Sequence, residues 1–233
     1  MSEANGNSLH SLVGLSGFRC IVADPPWDVK FGEDHHRDRR ASTGSPKGTW
    51  SRPRMDYPTM TLAEIEAMPV AGVADKDAHL YLWTINRYVE QAYSVARAWG
   101  FRPVCLLTWA KTPRGLGLGG AFVQTTEHVL FARRGTLKAL RREPSTWWNW
   151  TRPEAGTGPK HSRKPEDFQS LVEAVSPGPR LELFARRARP GWVTLGNEAD
   201  GLDMKDSLIL LAQGKHPCYG VEKHGESRHE QDV

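Results

Sequence analysis

The most chemically pointed stretch of the chain is Asp24-Pro25-Pro26-Trp27. It places a carboxylate, two proline carbonyls and an indole in four consecutive positions. Proline fixes its own backbone torsion and has no N–H, so the segment is a stiff turn that presents acceptors. Such a turn suits a weakly nucleophilic amine. In adenine the lone pair of the exocyclic N6 amine is delocalised into the ring. A site that methylates it must accept hydrogen bonds from both amine hydrogens, which localises the lone pair and stabilises the positive charge that develops on transfer. Asp24 supplies one acceptor and the Pro25 carbonyl the other. Trp27 offers a plane for base stacking, a contact worth about 1–3 kcal/mol. With a sulfonium methyl donor the remaining catalysis is positioning, and no metal is required. The same tetrapeptide also makes a plain turn with its tryptophan in the core, so its place in the fold matters.

The elements around it predict that place. Phe18 to Ala23 is a short apolar run stopped by Pro25 and Pro26, which reads as a buried strand ending at Asp24. A long basic loop over residues 28–58 follows, with Lys30, Arg37, Arg39, Arg40, Lys47, Arg52 and Arg54; it reads as a nucleic-acid clamp or target-recognition loop and equally as a disordered segment. Thr61 to Ala67 reads as a short helix with Thr61 as N-cap and Glu64 completing a capping box. His79 to Trp83 is a strand, Asn86 to Trp99 a helix ended by Gly100, Val104 to Trp109 and Glu127 to Ala132 further strands, and the glycines from 115 to 120 a loop. Pro165 to Val175 has the strongest helix pattern, with Pro165 at the first helical position and Phe168, Leu171, Val172 and Val175 as its stripe. Arg180 to Ala185 and Trp192 to Leu195 close the set. Strands alternating with helices predict an α/β fold with a mainly parallel sheet covered on both faces, and ligands at the carboxyl ends of its strands.

Composition sets the frame. The 233 residues carry a net charge of +4, and between Lys111 and Lys164 eleven Lys/Arg face three acids. That segment reads either as a phosphate-neutralising surface or as a solvated basic face. Cys20, Cys105 and Cys218 form no CxxC pair, so neither a disulfide framework nor a zinc site is expected, and Cys20 and Cys105 read as buried reduced thiols. No run approaches a membrane span, and the polar start MSEANGNSLH lacks the apolar stretch of a signal peptide, so a cytoplasmic setting is expected. Residues 1–10 and 222–233 read as flexible tails around a single domain over 11–221. Asp34, His35, His36 and Asp38 read as a solvated charge run rather than a metal cluster. Trp147, Trp148 and Trp150 read as core filling ahead of base stacking.

Blocks spread along the chain resemble the N6-adenine methyltransferase family that includes the catalytic subunit of the messenger-RNA methyltransferase and its bacterial and phage DNA-modifying branch. The blocks are Asp24-Pro25-Pro26-Trp27, Tyr57-Pro58-Thr59-Met60-Thr61, Leu80-Tyr81-Leu82-Trp83-Thr84, Trp99-Gly100-Phe101, Leu107-Thr108-Trp109-Ala110-Lys111, Thr126-Glu127-His128, Ser162-Arg163-Lys164-Pro165-Glu166, Leu181 to Arg186, and Leu195-Gly196-Asn197-Glu198. The resemblance implies a Rossmann-like class I methyltransferase fold with permuted motif order and S-adenosyl-L-methionine as cofactor. It places Asp24, Lys164, Glu182, Leu183, Arg186, Asn197 and Glu198 around that cofactor, and Tyr57, Lys111, Glu127, Ser162 and Lys164 around the target base. Glu127 reads equally as a strand-edge salt bridge, and Lys111 nearly as well as a solvated loop lysine. The expected reaction is methylation of adenine N6 in a nucleic acid, DNA ahead of RNA, with a homodimer and a partner subunit both left open. A non-catalytic nucleic-acid-binding partner of the same fold is the rival reading.

Overall fold

The computed structural model describes residues 17–28, 58–111, 122–151 and 163–216. The terminal tails, most of the 28–58 loop with the Asp34–Asp38 charge run, Tyr57, the glycines 115–120 and Ser162 lie outside the described residues. No helix among the described residues is long and apolar enough to cross a membrane.

Among the described residues, seven strands form one sheet in the order β5-β3-β4-β2-β1-β6-β7. They are β1 (Phe18–Ala23), β2 (Ala74–Thr84), β3 (Arg102–Ala110), β4 (Thr126–Arg134), β5 (Trp147–Trp148), β6 (Arg180–Leu183) and β7 (Val193–Leu195). Only β4 runs against the others, pairing antiparallel with β2 and β3. The expected mainly parallel α/β sheet is therefore present. The strand β1 lies near the middle, parallel to both β2 and β6. Cys20, Ile21, Val22 and Ala23 are at most 2% exposed, as the continuous apolar run required of a strand covered on two faces.

Helices cover both faces. On one side α1 (Leu62–Glu66), α2 (Val89–Ala98) and α4 (Met204–Ala212) bury Ile65, Ala92, Val95, Met204 and Leu208 against Ile21, Leu80, Leu82, Leu181 and Leu183. On the other, α3 (Glu166–Val175) buries Phe168 and Val172 against Cys20, Val22, Tyr81, Trp83 and Val129. Side chains alternate across a strand. So the face of β1 that carries Cys20 and Val22 also carries Asp24, and it is the face under α3.

Several boundaries differ from the sequence expectation for identifiable reasons. The strand β2 begins five residues before His79, because Ala78 and its neighbours gain ladder partners that the polar Asp75-Lys76-Asp77 run does not advertise. The expected Asn86 helix opens with a 3₁₀ turn over Asn86–Tyr88 before α2 starts. Pro165 is the N-cap of α3 rather than its first helical residue, with φ −64° and ψ 141°. The strand β6 stops at Leu183 because Phe184 takes a left-handed φ of 61°, which turns the chain out of the sheet. Cys20 is buried as expected, but Cys105 is only half-buried; both are free thiols. The capping box of α1 forms as expected, with the Glu64 carboxylate accepting from Thr61 N at 2.7 Å.

Candidate active site

The end of β1 is built by main-chain bonding. Trp27 N donates to the Pro25 carbonyl at 2.9 Å, closing a tight turn, and Met60 N donates to the Pro26 carbonyl at 2.9 Å. The second contact ties the motif to the segment leading into α1. Trp27 does not present an open plane. It is 5% exposed, its indole N–H donates to the Trp83 carbonyl at 3.0 Å, and Tyr88 stacks on it with centroids 5.4 Å apart and planes 15° from parallel. The Tyr88 hydroxyl in turn donates to the Asp28 carbonyl. The expectation that Trp27 is a free stacking face is corrected here: the apolar ring gains more from the core, and it acts as a peg that fixes the turn before it.

Asp24 points onto the α3 face, where four charges alternate. Lys164 Nζ lies 3.0 Å from Asp24 Oδ2 and 3.2 Å from Glu127 Oε2, and Lys111 Nζ lies 2.5 Å from Glu127 Oε1. Each residue comes from the end of an element. Asp24 follows β1, Lys111 follows β3, Glu127 is the second residue of antiparallel β4, and Lys164 precedes the N-cap of α3. Because β4 runs backwards, its amino end meets the carboxyl ends of its neighbours. The two ammonium groups sit over aromatic rings, Lys164 5.0 Å from the Trp83 centroid and Lys111 5.7 Å from that of Trp109. Cation–π attraction offsets part of the desolvation of these lysines.

The electrostatics separate the two acids. Burial raises the pKa of Asp24 above its ordinary 3.8; Lys164 opposes this and the charge of Glu127 adds to it. The Asp24 side chain keeps 32% of its surface, and solvent there screens part of the effect. For Glu127 burial also acts upward, but the charges of Lys164 and Lys111 outweigh it and hold the carboxyl at about 2. Burial works against the Lys164 ammonium, and Asp24 and Glu127 overcome it, so its pKa is raised. The arrangement keeps Glu127 and Lys164 charged and leaves Asp24 as the acid whose protonation is most easily changed.

The other expected residues gather at the neighbouring strand ends. Glu182 lies on the α3 face of β6, its carboxylate 3.7 Å from Arg189 Nε. Burial raises its pKa, Arg189 opposing and Asp24 adding. Leu183 is 1% exposed in the core, so its main chain is what it can offer at the rim. The charge of Arg186 reaches Asp24 and lowers its pKa slightly against the larger effects. Asn197 and Glu198 are exposed immediately after β7. Gly196 makes that placement: a Cβ there would stand 2.2 Å from Ala185 O and 2.7 Å from Ala185 N. Only glycine lets the loops after β6 and β7 touch backbone to backbone. Asp200 anchors the second loop, accepting from Ser207 Oγ at 2.9 Å and Leu202 N at 3.1 Å, with His216 Nε2 at 3.1 Å.

Sequence reasoning assigned no role to Tyr88, to the Trp83 and Trp109 rings under the lysines, or to Arg189. Tyr88 carries no sequence signal beyond its place in a helix start. Trp83 and Trp109 do, since both end apolar runs inside the sequence blocks quoted above. Glu166 gathers Arg163, Arg187 and Arg189 at the start of α3, where an acid also meets the positive end of the helix.

Comparison with known proteins bears on this arrangement. The N(6)-adenosine-methyltransferase MT-A70-like protein of Drosophila melanogaster is 29% identical over 213 residues, 87% of this chain and 30% of that protein. The N(6)-adenosine-methyltransferase catalytic subunit METTL3 of Homo sapiens is 26% identical, covering 84% of this chain and 30% of its own length. The chain thus spans under a third of these relatives. The Type II methyltransferase M.MunI of a Mycoplasma species is 26% identical, and there the match covers 83% of this chain and 81% of the relative. The profile of the MT-A70 family matches residues 18–198, from the first strand through Asn197 and Glu198, and the chain belongs to that family.

Proposed function

We propose that this protein transfers a methyl group from S-adenosyl-L-methionine to adenine N6 in DNA. The observation that carries the reading is the Asp24 carboxylate: it sits at a strand end beside the Pro25 carbonyl, with Lys164 Nζ 3.0 Å from its Oδ2 and 32% of the side chain exposed. Asp24 Oδ1 accepts one amine hydrogen. The Pro25 carbonyl has two lone pairs, one already engaged by Trp27 N, and the other accepts the second hydrogen. The raised pKa of Asp24 also suits it to take the proton that the amine sheds once methylated. Glu127, Lys164 and Lys111 hold the neighbouring polar edge of the base in this reading.

The donor set fits the cofactor. The loops that Gly196 holds together carry Arg186 on one side and Asn197 and Glu198 on the other, and the charges of Arg186 and Glu182 both interact with that of Asp24. An amide and an acid just past a parallel strand suit ribose hydroxyls. Asp24, Lys164, Glu182, Arg186, Asn197, Glu198 and the Leu183 main chain would hold it. When bound, it supplies a methyl group already activated on a sulfonium.

The match over most of a type II methyltransferase favours DNA. A second reading, RNA, draws on the adenosine methyltransferases, which are matched over a smaller part of their length. A duplex target must be flipped from its stack at a cost of a few kcal/mol. Labelled methyl transfer to double-stranded DNA, single-stranded DNA and RNA, alongside calorimetry with S-adenosyl-L-methionine, tests this. Preferred labelling of DNA is expected. Preferred labelling of RNA selects the second reading, and absence of cofactor binding leaves only a nucleic-acid-binding partner of the same fold.

A further inference from the structure

The three tryptophans before the basic 152–164 segment have no part in the chemistry above. Trp150 faces the second core, 6.4 Å from Phe168, which itself lies 4.7 Å from Trp83 beneath Lys164. Trp148 stacks on Trp150 with centroids 4.9 Å apart and planes within 10°. The rings therefore step outward from the core: Phe168, Trp150, Trp148. Trp150 is held in place, since Trp109 Nε1 donates to its carbonyl at 2.9 Å. Trp148 remains partly exposed although Trp150 covers one of its faces. Trp148 thus stands at the edge of the sheet with one face covered and part of its surface open.

Its position relative to the charged cluster is fixed by register. Trp109 of β3 pairs with Trp148 of β5 on one side and with Glu127 of β4 on the other. The three side chains lie in one row on the α3 face, and Trp148 stands two strand spacings from Glu127, about 10 Å. A single strand covers that distance in about three stacked nucleotides or fewer extended ones. The charge of the surroundings matches a polyanion. Arg142 is exposed before β5, Arg141 and Arg163 are exposed beside Glu143 and Glu166, and the sequence between Lys111 and Lys164 carries eleven Lys/Arg against three acids.

We propose that Trp148, backed by Trp150, is a stacking platform for a nucleobase neighbouring the target adenine on the same strand. The inference rests on the nucleic-acid methyltransferase reading and adds a second point of contact to it. An indole recognises any base through its π face, so the platform positions the strand without reading its sequence.

The test compares a fluorescent oligodeoxyadenylate, the matching oligoadenylate and an abasic phosphodiester strand of the same length. Trp148→Ala is expected to weaken binding of both base-bearing strands about tenfold and to leave the abasic strand unchanged. Trp148→Phe should recover most of the loss, and S-adenosyl-L-methionine binding should stay as in the unsubstituted protein. If alanine loosens the edge strand, Trp148→Leu keeps the bulk without the aromatic plane and should lose binding in the same way. Equal losses on the abasic strand, or no loss at all, would overturn the platform, the second outcome leaving the tryptophans to a protein partner. If the unsubstituted protein binds no strand, the nucleic-acid reading itself fails, and that result is distinct from both.

Discussion

Two polar clusters flank the helix α3, and both lie on the face of β2 that carries His79, Tyr81 and Trp83. At the C-terminal end of α3, Ser176 Oγ lies 2.8 Å from His79 Nδ1 and 2.8 Å from the Tyr81 hydroxyl, and His79 Nε2 lies 3.2 Å from the Leu137 carbonyl. All three side chains are at most 2% exposed. Burial lowers the pKa of His79, so the imidazole stays neutral, and burial raises that of the Tyr81 phenol. At the N-terminal end, Lys164 joins Asp24 and Glu127 in a charged cluster that keeps a solvent-facing side. One cluster is neutral, closed and saturated with hydrogen bonds. The other holds charge against burial and keeps the Asp24 side chain partly exposed. A Ser-His pair within hydrogen-bond reach is thus no nucleophile here, because nothing can approach it. The Asp24 carboxylate at the opposite end is partly exposed and has a raised pKa, a combination that marks a candidate functional site.

Removing Lys164 should break the contrast most strongly. Lys164→Met leaves two carboxylates facing each other without the ammonium between them. Methyl transfer should fall about 100-fold. The pH profile should also move. Asp24 must be ionised to accept the amine hydrogen, so its raised pKa sets an acid limb on which activity rises with pH. Losing Lys164 removes the main influence that lowers this pKa, so the limb shifts to higher pH. A limb that stays put would detach Lys164 from Asp24.

Ser176→Ala should do the opposite, acting on stability and leaving the rate alone. It strands a buried imidazole nitrogen and a buried phenol, at about 2 kcal/mol. Denaturant unfolding reads the loss, and a matching fall in kcat would show that the closed cluster shares in catalysis. Glu127 offers a third comparison. Its folded pKa of about 2 lies below its ordinary 4.5, so its ionic contacts stabilise the fold fully above pH 4.5 and are lost as the pH falls through about 2. Glu127→Gln should flatten that part of the stability profile, which acid titration at fixed denaturant would show. The smallest effect belongs outside both clusters: Thr61→Ala removes the capping box of α1 at about 1 kcal/mol, readable as a modest fall in thermal midpoint.

Local signals carried much of this architecture. The apolar run at Phe18 to Ala23, the prolines after it and the Thr61–Glu64 pairing dictate their elements with little help from the rest of the chain. The helix α4 has equally local signals, although it is absent from the elements expected above: Asp203 caps it through Lys205 N at 2.9 Å, and Met204, Leu208 and Leu211 make its buried stripe. The two-residue β5 was not legible, because it exists through its pairing with Thr108 and Trp109. The site divides in the same way. Asp24, Lys164 and Glu127 are recognisable from their sequence blocks, but the contact among them depends on β4 running antiparallel. The burial of Trp27 under Tyr88 likewise follows from long-range packing.

In the proposed reaction the Asp24 carboxylate accepts a hydrogen from the adenine amine during methyl transfer. The most direct test of that role is to incubate nucleic acid with S-adenosyl-L-methionine and either the unsubstituted protein or Asp24→Asn, digest it, and quantify N6-methyladenine by mass spectrometry. The substitution keeps shape and removes charge. N6-methyladenine is expected with the unsubstituted protein, and a rate about 100- to 1000-fold lower with Asp24→Asn. An undiminished rate in the variant, or a methyl group on another atom, would contradict that role.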